Sequence, residues 1–127
     1  MEIREYTPSD IELLFQLMEQ EGEEWADYFT EIGRLQYIDA LNQASEVLVA
    51  VVDEEIVGFI RAIGSFTIYI DDLLVDKRHR GQGLGKKLID GICEKFPEKG
   101  VYVMSDVDDY YHKLGYKNAG TLFEIRG

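Results

Sequence analysis

Cysteine and proline are scarce in this chain of 127 residues: Cys93 is the single cysteine, and Pro8 and Pro97 are the two prolines. One cysteine cannot form an intramolecular disulfide, and with only two scattered histidines it cannot complete a zinc site at any usual spacing. The sequence therefore argues against a disulfide scaffold and against structural zinc, and we expect no metal.

Long apolar runs are also missing. No run approaches the roughly 18 residues that a membrane span needs, and the N-terminal residues 1–5 lack the apolar region of a signal peptide. We therefore expect a soluble, cytoplasmic protein that does not enter a membrane. The length, with 46% hydrophobic and 30% charged residues, suits one domain over residues 1–127, as a monomer or a homodimer.

Positively charged residues are also scarce: the chain has 13 Lys and Arg and 25 Asp and Glu, which gives a net charge of −12. Nucleic acids and anionic membranes need a basic surface, so we expect neither as a partner. Residues 1–60 carry 15 acids and two bases, whereas residues 61–127 carry 10 acids and 11 bases. The exception is one cationic segment, whose bases are Lys77, Arg78, Arg80, Lys86 and Lys87.

Two amphipathic helices are predicted in the first third of the chain. Ser9 and Glu12 have the spacing of a capping box, which predicts a helix that runs to about Met18. Apolar residues at helical spacing then predict a second helix from Trp25 to about Ala44. The residues of this stripe, expected in the core, are Trp25, Phe29, Ile32, Leu35, Ile38 and Leu41.

After Glu46 the pattern changes to strands. Residues 47–52 and 56–60 predict a hairpin, and residues 66–75 predict a third strand. The segments that follow predict a helix over 83–96 with Cys93 on its inner side, a strand over 101–104, a helix over 107–114, and a final strand or hairpin from Tyr116 and residues 121–125. The first of these helices forms a βαβ crossover, so the strands on either side of it are parallel. The predicted fold class is α/β: a mixed, mostly antiparallel sheet flanked by helices.

The cationic segment contains a glycine-rich stretch, residues 80–87, between a predicted strand and a predicted helix. Successive backbone N–H groups and the positive end of a helix dipole can hold a phosphate there. The spacing does not fit a Walker loop, and a dinucleotide-binding loop would need glycine at position 86. His79, in the same segment, is expected to face solvent or a phosphate and not to be catalytic.

This segment resembles the acyl-CoA signature of the GNAT N-acetyltransferase superfamily, Q/R-x-x-G-x-G/A, at Arg80, Gly83 and Gly85. Residues 111–116, Y-H-K-L-G-Y, resemble the Y-x-x-L-G-F ending of that family. The resemblance covers residues 46 to 127. It implies a GNAT-like fold and transfer of an acetyl group from acetyl-CoA to a primary amine of a small molecule or peptide. A catalytically silent acyl-CoA sensor or interaction protein is the alternative, and a generic nucleotide binder is a third hypothesis.

The resemblance also implies roles for particular residues. The acetyl-CoA would contact Leu73, Leu74, Val75, Arg80, Gly81, Gln82, Gly83, Leu84, Gly85 and Lys86. The N–H of Val75 or a near neighbour would polarise the thioester carbonyl. Tyr111 would donate a proton or hydrogen bond to the departing sulfur, with Tyr110 as the alternative one position away. Arg78, Arg80, Lys86 and Lys87 are candidates for the phosphates, by direct contact or through longer-range charge.

The general base stays open among Asp71, Asp72, Asp106, Glu124 and a chain of water molecules. Residues 105–109, where many family members place a pantetheine-binding Asn, are shortened and contain none. On the acceptor side, the acidic run Glu19–Glu24 beside Trp25 would suit a cationic amine. A solvated acidic loop with Trp25 in the core fits the same residues, so an amine, an amino sugar and a peptide amine all remain candidates.

Overall fold

The computed structural model describes residues 1–126, which contain a five-stranded sheet in the order β1-β2-β3-β4-β5. The strands are β1 (Glu2–Glu5), β2 (Glu46–Val52), β3 (Glu55–Ile63), β4 (Ile68–Val75) and β5 (Val101–Val103). The β4–β5 pair is parallel, and the other three pairs are antiparallel. The predicted mixed sheet with one parallel crossover is confirmed.

The helices cover both faces of the sheet. Within residues 1–126 they are α1 (Ile11–Glu21), α2 (Glu31–Gln43), α3 (Leu84–Lys95) and α4 (Asp108–Lys113), with short 3₁₀ segments at Pro8–Asp10, Glu23–Phe29 and Lys77–His79. Helices α1 and α2 bury their apolar side chains against one face, and α3 packs on the other. No helix in this part of the chain combines the length and the apolar character needed to cross a bilayer.

The first helical turn begins two residues earlier than predicted. The Thr7 N–H donates to the carboxylate of Asp10 at 2.9 Å, and Arg4 donates two further hydrogen bonds to the same carboxylate. Pro8, which has no N–H to satisfy, occupies the first helical position. The start signal is therefore the pair Thr7 and Asp10, and the predicted capping box at Ser9 and Glu12 is wrong.

Helix α2 is shorter than predicted and has a different buried face. It begins after Thr30, whose hydroxyl accepts a hydrogen bond from the Gly33 N–H at 2.9 Å, while the preceding residues form a separate 3₁₀ segment. A helix that starts at this cap turns Tyr37 and Leu41 toward the sheet. Ile32 and Leu35 are 69% and 65% exposed, so the prediction that they lie in the core is wrong.

Two predictions in the last third of the chain also fail. Cys93 is exposed on α3 instead of buried, because the helix turns Leu88 and Ile92 to the sheet. Residues 116–126 form no strand, and Phe123 within them is 77% exposed. Because β5 is only three residues long, it offers this segment a very short edge for pairing.

Candidate functional site

Strand β4 has an open edge along its second half. It pairs with β5 only from Ile68 to Ile70 and then continues to Val75 without that neighbour. At the same level, the pairing of β4 with β3 shifts by one residue, which leaves Asp71 as an extra residue in β4, a β-bulge. The strands therefore part beyond Ile70, and the stretch 73–75 that the sequence predicts to contact acetyl-CoA lies on the open edge.

The backbone of Val75 faces this edge. The next N–H, that of Asp76, donates to the Val57 carbonyl in β3 at 2.8 Å. Successive N–H groups of a strand point to opposite edges, so the Val75 N–H points away from β3. Its carbonyl accepts a hydrogen bond from Nε of Arg80 at 3.0 Å. The Val75 N–H is thus directed to the space between β4 and β5.

A fixed turn carries the chain from β4 into the glycine-rich loop. The Asp76 carboxylate accepts hydrogen bonds from the Arg78 N–H at 2.9 Å and from the Arg78 guanidinium at 2.8 Å. These bonds lower the pKa of Asp76 to about 2. A buried, ionised carboxylate therefore anchors the start of the loop.

Two glycines of the loop leave space at the start of α3. Gly81 and Gly83 have φ angles of +80° and +78°, and a side chain at either would meet no atom within 4 Å. Glycine is needed there for the left-handed backbone, not because a neighbour crowds it. The first N–H groups of α3 have no partner within the helix. We call this set of free N–H groups beside open space the cradle; it is the arrangement typical of phosphate binding at a helix N-terminus.

Gly85 is surrounded differently. It is buried in the first turn of α3, and a side chain there would collide with the hydroxyl of Tyr110. The first two glycines, Gly81 and Gly83, thus face open space, whereas Gly85 faces the protein.

Most of the cationic segment is already paired with carboxylates. Three ion pairs are present: Arg78 with Asp76 at 2.8 Å, Arg80 with Glu21 at 2.6 Å, and Lys86 with Asp90 at 2.8 Å. The Arg80 guanidinium therefore joins the end of α1 to the end of β4. Sequence reasoning missed this role for Glu21, because no local pattern links two residues 59 positions apart.

Helix α4 presents two adjacent tyrosines with different surroundings. Tyr111 is half-buried against the apolar cluster between α3 and the sheet, and burial raises its pKa to about 12. Tyr110 is 39% exposed, and its ring stands edge-on to that of Tyr111, with centroids 5.1 Å apart. The phenol of Tyr111 keeps its proton at neutral pH, as a proton donor must.

A buried polar network lies on the opposite face of the sheet. The Asp72 carboxylate accepts hydrogen bonds from the Tyr37 hydroxyl at 2.7 Å and from Nε of Arg61 at 2.6 Å. Arg61 also pairs with Asp71, the bulge residue, and the Tyr28 ring stacks on Tyr37 with centroids 4.9 Å apart. Of the predicted base candidates, Asp72 is thus occupied, and Asp71 is more exposed.

The remaining candidates are dispersed. Asp106 lies in a shallow cavity of about 480 Å³ lined by residues 105–110, and Glu124 lies in the exposed C-terminal segment.

Trp25 packs edge-on against Tyr28 and Phe59, so it belongs to the core beside α1 and α2. His79 is half-buried. Across residues 1–126, no three His, Cys, Asp or Glu side chains cluster as metal ligands would.

Comparison with known proteins gives consistent results. The sequence model of the Acetyltransferase (GNAT) family matches residues 10–116. The glucosamine 6-phosphate N-acetyltransferase of Trypanosoma brucei brucei is 42% identical over 62 residues, which are 45% of this chain and 40% of that protein. A solved Trypanosoma brucei acetyltransferase is 26% identical, with a TM-score of 0.74 over 98% of this chain and 97% of that one. The aminoglycoside N-acetyltransferase AAC(6')-Iy, solved with CoA, shares the fold at 16% identity, with a TM-score of 0.80 over 99% and 93%.

Proposed function

The chain belongs to the GNAT acetyltransferase family, and from this premise we propose that it transfers an acetyl group from acetyl-CoA to a primary amine. One observation carries the proposal: the open edge of β4 ends at the glycine cradle on α3. An extended, partly amide ligand with a diphosphate at one end would fill both. The match covers only 40% of the length of the Trypanosoma brucei brucei relative. We therefore infer the activity of this chain from its own site and do not take it over from that relative.

The residues present suit the parts of acetyl-CoA. The free N–H groups at the start of α3 would donate hydrogen bonds to the diphosphate, which would occupy the open space at Gly81 and Gly83. The pantetheine amides would bind along residues 73–75, as an added strand does at a sheet edge. Of the predicted phosphate ligands, Lys87 forms no ion pair with the described residues 1–126, which favours it for direct phosphate contact over its paired neighbours.

The reaction follows from the groups at this edge. The neutral amine nitrogen attacks the thioester carbonyl and forms the C–N bond, while the C–S bond breaks and coenzyme A leaves as its thiol. The Val75 N–H would donate a hydrogen bond to the carbonyl oxygen as negative charge develops there. Tyr111 would give its proton to the departing sulfur, and the nitrogen would lose one proton to a base.

The two aspartates at the bulge differ as candidates for this base. Asp72 is buried and already accepts hydrogen bonds from two side chains, so it has little surface open to an amine. Asp71 has 31% of its side chain exposed beside the open edge, although Arg61 pairs with it. We therefore favour Asp71, acting directly or through water, for the proton of the amine.

The acceptor is proposed to bind on the side of α1 and α2. Glu23 and Glu24 are exposed in the 3₁₀ segment between these helices, so a cationic amine would be attracted there. An amino sugar is the first class to test, because the matched relative is named for one.

The proposal is tested in two steps. A thermal-shift measurement should show stabilisation by acetyl-CoA and none by ATP or NAD. Thiol release is then measured over amino sugars, small diamines and peptides, and at least one class should give amine-dependent turnover. Acetyl-CoA binding without any turnover would favour the silent acyl-CoA sensor. A chain that acetyl-CoA does not stabilise would contradict both.

A further inference from the structure

The hydroxyl of Tyr110 fills the space beside Gly85 that a side chain would otherwise occupy. This contact joins α4 to the first turn of α3, the turn that holds the free N–H groups of the cradle. Gly81 and Gly83 have nothing within 4 Å at the corresponding position. The absence of a side chain at position 85 is therefore explained by the protein itself, without reference to a phosphate.

We propose that Tyr110 is a positioning residue, which sets the place of Tyr111 relative to the phosphate cradle. The proposal rests on the proposed function, because the position of Tyr111 matters for the rate only if Tyr111 donates a proton to the sulfur of the cosubstrate. Tyr110 holds α4 against α3, and Tyr111 follows it directly in the chain.

The geometry of α4 supports this role. The helix has six residues, and none of them is fully buried, so few contacts hold it in place. Tyr111 reaches inward to the apolar cluster, and its ring meets that of Tyr110 edge-on at 81°. Because the two rings are in contact and adjacent in sequence, a displacement of Tyr110 displaces Tyr111. An error of about 1 Å in the position of a reacting group can cost roughly 100-fold in rate.

The test is a mutant cycle of Gly85→Ala and Tyr110→Phe. In the single variant Gly85→Ala, the new methyl group displaces Tyr110, and we expect kcat to fall roughly 10- to 100-fold while the Kd for coenzyme A changes little. Adding Tyr110→Phe removes the colliding hydroxyl, after which the nearest ring atom is Cζ at 3.3 Å. The double variant should therefore recover most of the lost kcat.

Two matched controls separate this contact from other causes. Tyr116 is a second tyrosine near α3: burial, and then the nearby charge of Asp90, raise its pKa. It is not among the residues that crowd Gly85. Tyr116→Phe should therefore fail to rescue Gly85→Ala. Gly83→Ala places a side chain on a backbone with positive φ, so it should weaken coenzyme A binding, and Tyr110→Phe should not restore it.

Several results would overturn the proposal. If Gly85→Ala loses coenzyme A affinity and Tyr110→Phe does not restore it, the glycine serves the ligand and not Tyr110. If Tyr110→Phe alone abolishes turnover while Tyr111→Phe remains active, Tyr110 is itself the proton donor.

Thermal unfolding midpoints, measured without cosubstrate, distinguish a failure of the Gly85–Tyr110 contact from a failure of the proposed function. The Gly85–Tyr110 contact predicts that Tyr110→Phe restores the midpoint of Gly85→Ala, whatever the chain catalyses. Recovery of the midpoint in a protein that acetylates no amine would overturn the proposed function, and with it the positioning role, but not the contact.

Discussion

The two faces of the sheet are built from different kinds of side chain. The buried members of the hydrophobic cluster on the α3 face are all aliphatic: Leu48, Ala50, Val57, Ile60, Ala62, Ile68, Ile70, Leu84, Leu88, Ile89 and Ile92. The face under α1 and α2 buries the aromatic residues Phe15, Tyr37 and Phe59, and it also contains the buried pair Arg61 and Asp72. The core of one face consists of packed apolar side chains, whereas the core of the other also contains hydrogen bonds between buried side chains.

This difference matches the proposed division of the site. The phosphate cradle and Tyr111 attach to the aliphatic face, where α3 is held mainly by close packing of apolar side chains. The proposed acceptor side lies over the aromatic and polar face, where a 3₁₀ segment replaces regular helix. Apolar packing suits the site of acetyl-CoA, which is the same in every reaction cycle. Hydrogen bonds with a fixed direction suit a site that must distinguish one acceptor from another.

The largest effect is expected from Tyr111→Phe on the aliphatic face. Loss of the proton donor should lower kcat by roughly 10²- to 10⁴-fold, because proton donation is a transition-state contribution. The Kd for acetyl-CoA, measured by calorimetry, should change little. Full kcat in this variant would move the proton donor away from Tyr111 and remove the chemistry from this face.

A buried-charge variant compares the two faces directly. Arg61→Met leaves the Asp72 carboxylate buried without its ion partner, which should cost about 3–5 kcal/mol in the free energy of unfolding. Adding Asp72→Asn removes that charge and should recover part of the loss. On the aliphatic face, Leu88→Ala should cost about 2–5 kcal/mol, and no polar change can repair it.

Urea unfolding measures all three variants. Equal stability of Arg61→Met and the wild type would show that the polar network contributes no more than a surface pair, and the contrast between the faces would disappear.

Asp76 tests how far the cradle depends on a polar anchor. Its folded pKa of about 2 lies below the ordinary 3.8, so its contribution is complete above about pH 5 and is lost as the pH falls from about 4 to 2. Because the Arg78 partner is largely exposed, solvent screening should reduce this contribution to about 1 kcal/mol. Wild-type stability should fall over this interval, and Asp76→Asn should flatten the fall and be less stable at pH 7. A parallel pH dependence in both proteins would contradict this assignment.

The smallest effect is expected on the acceptor side. Glu23→Gln combined with Glu24→Gln should raise the KM of a cationic acceptor by no more than roughly 30-fold, because each exposed carboxylate contributes about 0.2–1 kcal/mol. The penalty should shrink as salt is added, and the affinity for acetyl-CoA should not change. Glu98→Gln, an exposed acid after α3, is the matched control. An unchanged KM at low ionic strength would remove the charge argument for this face.

Much of the fold could be predicted because its signals are local. The apolar, β-branched runs of β2 and β3, the glycine and aliphatic pattern of α3 and the crossover to β5 depend on neighbouring residues, and all appear in the structure. The buried face of α2 could not be predicted from its apolar stripe, since the cap at Thr30 starts the helix later. The predicted C-terminal strand fails for a related reason, because a strand needs a partner edge and β5 provides a short one.

The candidate site divides in the same way. The glycine spacing and the tyrosine motif identified the elements that the fold brings to one end of β4. The contact of Gly85 with Tyr110, the pairing of Arg80 with Glu21 and the occupation of Asp72 by Tyr37 all join residues distant in sequence. Such contacts depend on side-chain depth and direction, which a single sequence does not encode in any periodic pattern.

The Arg80 guanidinium has a consequence for how the two substrates would influence each other. It is bonded to Glu21 at the end of α1 and to the Val75 carbonyl at the end of β4. An acceptor that binds at the acidic run and a cosubstrate that binds at the loop would therefore both affect the ion pair between Arg80 and Glu21. Thermodynamic linkage makes such an influence reciprocal: whatever factor acetyl-CoA applies to the affinity for the amine, the amine applies to the affinity for acetyl-CoA. The Arg80 guanidinium would thus couple the binding of the amine to the binding of acetyl-CoA.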